Sequence, residues 1–133
     1  MLLIGLSKIL WDLICSIADQ SALPWCIFGD SNDLLSSDEK IGNRDHPNWL
    51  IQDFCEVISD CNLHDLPIED YTYTWARRKG KANAIKKKLN RALATCDWMD
   101  LFPNFKLINA MASKLDHSPI LLLDANSRRF FRK

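Results

Sequence analysis

The chain has 133 residues, nearly half of them apolar and a quarter charged, with equal numbers of basic and acidic groups. That length is one domain with room for a core of its own, and the composition excludes a disordered or fibrous chain. The neutral total conceals a segregation. Residues 1–76 carry three basic groups against thirteen acidic ones, a net of −10, and residues 77–133 carry fourteen against four, a net of +10. Such a split either creates a face suited to a polyanion or lets the two halves neutralise each other inside the fold.

In chain order, the opening MLLIGLSKILWDLICSIAD places Leu6, Leu10, Leu13 and Ile17 at helical spacing. This reads as an amphipathic surface helix. Lys8 and Asp12 interrupt the run and no positive segment precedes it, which favours that helix over a signal peptide, and no stretch is long enough to span a membrane. After Pro24, Trp25–Phe28 forms a short apolar strand, and Gly29 is expected to free the backbone to turn. The polar stretch SNDLLSSDEKIGNRDHP reads as a loop. A helix then starts near Asn48, with Leu50, Phe54, Val57, Ile58 and Cys61 on one face, and a brief strand follows at Leu63–Leu66.

YTYTWARRKG alternates strictly, which predicts a half-buried strand with Tyr71, Tyr73 and Trp75 on one face and Thr72 and Thr74 on the other. Gly80 and Asn83 mark a hairpin turn, and AIKKKLNRAL is expected to return as one partner strand. A short helix at Cys96–Phe102 stops at Pro103, two strands follow at Phe105–Met111 and Ile120–Leu123, and the tail ANSRRFFRK reads as solvated coil. The pattern is mixed α/β. The five cysteines (15, 26, 55, 61 and 96) are odd in number, lack C-x-x-C spacing and mostly sit in apolar periodic segments. They read as small hydrophobes in a reducing, intracellular setting, nuclear or cytoplasmic, which argues against a disulfide framework and a zinc site.

Three strand ends offer chemistry: Asp30 with Asn32, Asn90 in the return strand, and Asp116 with His117 before an apolar strand. An Asp-His pair at a sheet mouth can hold a hard cation and donate to a phosphoryl oxygen, and a second carboxylate can orient an attacking water. The same residues also serve as turn and capping groups.

GDSN, the Tyr-Thr-Trp strand, LNRAL, a Trp-x-x-x-Phe-Pro segment and DHSPILL occur in one order over about residues 6–124. Together they resemble the C-terminal half of the endonuclease domain of LINE-type (non-LTR) retrotransposons, in the endonuclease/exonuclease/phosphatase superfamily. The resemblance implies a partial two-sheet αββα sandwich over residues 1–124, with the N-terminal half missing and residues 125–133 as a basic tail. It implies phosphodiester hydrolysis with Mg²⁺ or Mn²⁺. Asp30 would handle the nucleophilic water and Asn32 the phosphate. Asp116 would sit near metal or water, with Asp30 as the other candidate ligand, and His117 would lie on the phosphate. The hairpin Trp75–Asn83, with Trp75, Arg77, Arg78, Lys79 and Lys81, would face DNA, and Lys86, Lys87, Lys88 and Arg91 would add charge behind it.

The sequence departs from the family pattern at Ser31 (usually Phe), Leu115 (usually Ser) and Asn90 (usually Asp). The family's metal-binding glutamate has no counterpart, since Glu39, Glu56 and Glu69 stand in other contexts. An amide at position 90 loses the charge that would hold the histidine protonated. The expectation is therefore a weak or inactive remnant of a Mg²⁺-dependent DNA endonuclease. The competing expectation is a non-enzymatic module that binds nucleic acid through residues 75–91, using aromatic stacking and phosphate contacts. No membrane partner is expected. A sandwich cut to about one sheet would expose an apolar face and an unpaired edge, a route to self-association.

Overall fold

The computed structural model describes residues 15–16, 19–20, 23–31, 33–78, 80–110, 118–124 and 129–132, the last four by backbone alone. The chain is mixed α/β. In order, the described residues form β1 (Cys26–Asp30), β2 (Lys40–Ile41), α1 (Asn48–Asp60), β3 (His64–Asp65), β4 (Ile68–Glu69), β5 (Trp75–Arg77), β6 (Ile85–Lys87), β7 (Asn90–Ala94), α2 (Cys96–Leu101), β8 (Phe105–Asn109), β9 (Ile120–Asp124) and β10 (Arg129–Arg132). Three small sheets result, ordered β1-β7-β3, β10-β9-β8-β4 and β2-β6-β5. All pairings are antiparallel except β4 with β8. Among the described residues no helix is long and apolar enough to cross a membrane.

The β1–β7 pair is apolar on both faces because it is covered on both. Ile27 and Leu93, register partners, pack with Phe54, Val57, Ile58, Cys61 and Leu63, the apolar stripe of α1 and its exit. Their neighbours Phe28, Ala92 and Ala94 point the other way, onto Leu107, Ile120 and Leu122 of β8 and β9 and onto Trp98 of α2. Strand periodicity of two thus feeds two cores from one ladder. In α1, Phe54, Val57 and Ile58 recur at helical spacing and are buried. Each such side chain contributes about 1.5–3 kcal/mol by leaving water. Thr95 caps α2 by accepting the Trp98 N–H, and Trp98 packs its ring 5.0 Å from that of Phe102 and 5.9 Å from that of Phe105.

Several expectations are corrected. Gly29 does not end its strand. It lies inside β1 opposite Arg91 at φ 149°, and the chain turns only after Asp30. The loop after Asp30 contains a 3-10 turn (Ser37–Glu39) and the two-residue β2. Among the described residues of the Tyr71–Gly80 stretch, ladder pairing is confined to Trp75–Arg77, and the reading of its faces fails at Thr74, which is fully buried while Tyr71 and Tyr73 are half-buried. The predicted return strand is two strands in two sheets: β6 pairs with β5, and β7 pairs with β1 and β3. The break falls at Lys88 and Leu89.

Arg129–Arg132 of the tail is not coil. Its backbone pairs with β9, Arg129 opposite Leu123 and Arg132 opposite Leu121, so that the apolar β9 has a neighbour on each side. Cys15 and Cys61 form a disulfide, against the expectation of reduced thiols throughout. Both lie in apolar periodic segments of the sequence, and Cys15 packs against the core cluster that contains Cys61. Cys15, Ser16 and Asp19 have helical backbone. Most of the first predicted helix, including Leu6, Leu10, Leu13 and Ile17, lies outside the described residues.

Candidate functional site

The end of the β1–β7 ladder gathers groups from distant segments. Asp30 and Asn90 are direct register partners, so their side chains share a face of the sheet. It is the face of Phe28 and Ala92, turned toward β8 and β9. Asp30 is half-buried and Asn90 is buried. The Asn90 amide donates to the Ser118 carbonyl at 2.9 Å, two residues before the start of β9. The Ser118 N–H in turn donates to the Thr74 carbonyl at 2.6 Å. The Thr74 hydroxyl accepts the N–H groups of Leu89 at 3.0 Å and Asn90 at 2.8 Å, where the chain leaves one sheet for another.

A residue that the sequence reading missed completes this rim. Asn109, at the end of β8, is buried, and its amide donates to the carbonyls of Tyr71 at 3.0 Å and Tyr73 at 2.8 Å. The signal was present in FKLIN, where an amide closes an apolar strand and so has to find buried acceptors. Of the expected catalytic residues, the fold brings Asp30 and Asn90 together. Asn32, Asp116 and His117 lie outside the described residues.

On the opposite face of the same ladder, Arg91 is almost wholly buried. Its guanidinium lies 2.8 Å from Glu39 and 3.4 Å from Asp65, and its Nε donates to the Ser31 hydroxyl at 3.0 Å. Lys88 reaches Asp65 at 3.1 Å and Glu39 at 3.8 Å. These two cations and two carboxylates balance in charge. Lys88 and Arg91 are therefore not part of a nucleic-acid surface, which corrects their expected role. Burial of a guanidinium demands fixed acceptors, and Ser31 is one of them. The phenylalanine of the resembled pattern could not accept this hydrogen bond.

The described basic groups at the tip of the hairpin stay outward. Arg77, Arg78 and Lys81 are exposed along the hairpin, and Lys79 lies outside the described residues. Trp75 is half-buried, with Arg77 and Lys87 each 5.3 Å from its ring centroid and Lys86 5.5 Å from that of Tyr71. Partial burial pushes the Lys87 ammonium below the ordinary lysine value, and repulsion from Lys40 and Arg77 adds to this. The Tyr71 hydroxyl holds Lys86 above it. The charge segregation thus has both outcomes: two cations of the second half are neutralised inside, and a basic strip with aromatic rings is left on the surface.

Asp30 is the one expected ligand of Mg²⁺ or Mn²⁺ among the described residues. Magnesium demands octahedral oxygen coordination. Among the described residues no group of three or more His, Cys, Asp or Glu side chains could hold an ion, and Asp30 faces an amide instead of a second carboxylate. Asp116, the other expected ligand, lies outside them. Comparison with protein-family models, with curated proteins and with solved structures returns no match.

Proposed function

We propose that the chain is a degenerate phosphodiesterase domain of the LINE-type endonuclease group, built as part of an αββα sandwich, with weak or no cleavage of its own. One observation carries this reading. Asp30 of GDSN, Asn90 of LNRAL and Ser118 of DHSP, three motifs far apart in the chain, converge at one strand end through register pairing and the Asn90–Ser118 hydrogen bond. The sheet-on-sheet core between β1–β7 and β8–β9 is compatible with a sandwich. Asn90 stands where the family pattern has an aspartate, so a histidine at position 117 would lack the charge that favours its protonated form. The test is nicking of supercoiled plasmid with Mg²⁺ or Mn²⁺, beside EDTA and His117→Ala controls. Metal-dependent nicking that disappears in His117→Ala supports a residual site. Nicking that survives His117→Ala removes the proposed assignment.

The second reading is a nucleic-acid-binding module without catalysis, with DNA as the partner. It is favoured by the exposed Arg77, Arg78 and Lys81 beside a half-buried Trp75. The rings offer stacking and the cations offer phosphate contacts. Affinity for single-stranded DNA that falls steeply with added salt supports it, because each neutralised phosphate releases counterions. Affinity indifferent to salt rules it out.

A further inference from the structure

Away from the strand-end rim, the pairing of β3 with β7 places His64 opposite Ala94, two residues before Cys96 at the start of α2. The result is a thiol–imidazole pair, with Cys96 Sγ 3.0 Å from His64 Nε2. Both side chains are exposed. They line a cleft of about 540 Å³, together with Trp25 and with three carboxylates, Asp19, Asp97 and Asp100. Among the described residues, neither lysine nor arginine lines it.

We propose that Cys96, with His64 as its proton partner, is a thiol–disulfide exchange site that takes small cationic disulfides. The Cys96 proton passes to His64 Nε2, and the thiolate attacks one sulfur of the incoming disulfide. The new bond joins Cys96 to that sulfur as the old S–S bond breaks. The departing thiolate takes the proton back from His64, so atoms and electrons balance without a further reagent. An adjacent imidazole is the usual means of activating a thiol. The carboxylates raise the local concentration of a cation and repel an anion.

The rest of the chain favours selectivity. Burial pushes the Cys26 thiol up to about 12. Cys55 is also raised, by burial first and then by Glu39. Cys15 and Cys61 are already paired.

The experiment treats the full chain with cystamine or with the anionic dithiodiglycolate and maps the modified peptides by mass spectrometry over time. Cystamine is expected to modify Cys96 at least about tenfold faster than dithiodiglycolate, the scale on which charge focusing acts. Chain unfolded in urea loses that preference, as does Asp97→Asn/Asp100→Asn. His64→Gln is expected to slow reaction at Cys96 by about tenfold or more. Equal rates for the two reagents on the folded chain overturn the proposal, as does first modification at Cys26, Cys55 or the Cys15–Cys61 pair. Should His64→Gln fail to fold, the reagent ratio on the native chain decides alone.

Discussion

The hydroxyl of Thr74 accepts the backbone N–H of Asn90 at 2.8 Å, and that of Leu89 at 3.0 Å, from a fully buried position. This one side chain ties the base of the basic hairpin to the strand-end rim, since Trp75 is the next residue and Asn90 belongs to the rim. Valine has the shape of threonine without the acceptor. Thr74→Val should cost about 2–4 kcal/mol, because it takes the acceptor from two buried donors. Thr74→Ser keeps the acceptor and loses one methyl, for a cost of about 1 kcal/mol. Urea denaturation of both variants measures the difference. Equal losses would mean that the methyl, not the hydrogen bonds, holds the turn.

Arg91 presents a second test of internal structure. It donates to Ser31, Glu39, the Asp33 carbonyl and the Lys88 carbonyl from a position that is 1% exposed. Removing one partner of a buried ionic cluster strands the others, so Arg91→Met is expected to cost about 3–5 kcal/mol. Arg91→Lys keeps the charge but cannot reproduce the planar fork, and should fall between wild type and Arg91→Met. The urea midpoint should move with little change in slope, since the surface exposed on unfolding is nearly the same.

What the sequence disclosed, and what it withheld, follows from range. The stripe Phe54, Val57, Ile58 and Cys61 was legible because helical periodicity is local, and the Cys96 to Phe102 segment because Pro103 is adjacent in sequence. AIKKKLNRAL read as one strand because its apolar spacing is continuous across Lys88 and Leu89. Its division between two sheets depends on Thr74, Glu39 and Asp65, none of which is near in the chain. For the same reason Arg91 looked like one more surface cation. An arginine in a strand that is buried along its whole length has to be paired inside, and only the fold shows with which carboxylates. The rim was legible as motifs, whereas the contribution of Asn109 required knowing that β8 ends beside the Tyr71–Tyr73 backbone.

The basic strip and the buried cluster should separate cleanly under charge change. Arg77→Glu/Arg78→Glu alters exposed side chains and should leave the urea midpoint nearly unchanged, while weakening binding to single-stranded DNA. The logarithmic salt slope should shrink by about 0.7 for each phosphate of the single strand that the protein no longer neutralises. Lys88→Glu places a third carboxylate beside Glu39 and Asp65 and should unfold the chain before any effect on binding can be read. Fluorescence anisotropy across a salt series, paired with denaturation, tests both halves of the statement. Unchanged affinity in the double variant would remove the strip from any role in binding.

The Cys15–Cys61 bridge closes a sequence separation of 46 residues. A loop of that size restricts the unfolded chain enough to contribute about 2–4 kcal/mol. Thiol titration of denatured, unreduced protein should count three thiols, Cys26, Cys55 and Cys96, and five only after reduction. Cys15→Ser should lower the urea midpoint to nearly that of the reduced wild-type chain. A count of five without reductant would show that the bridge does not form in solution.

Lys87 gives the strip a pH dependence of definite sign. Its ammonium sits below the ordinary lysine value, chiefly through partial burial and then through Lys40 and Arg77, so the folded chain gives up this proton before an unfolded chain does. Two consequences follow as pH rises through that window. If the strip binds nucleic acid as proposed, that binding should weaken, because one cation beside Trp75 is lost while Lys86, held high by Tyr71, keeps its charge. Stability moves the opposite way: the unfolded state then holds more protons than the folded one, and the free energy of unfolding rises with pH. Lys87→Arg keeps the charge at every accessible pH, and should flatten the binding profile below the ordinary lysine range. Parallel anisotropy and urea titrations of wild type and Lys87→Arg make the comparison, and a wild-type profile as flat as that of the variant would show that Lys87 does not titrate in this window.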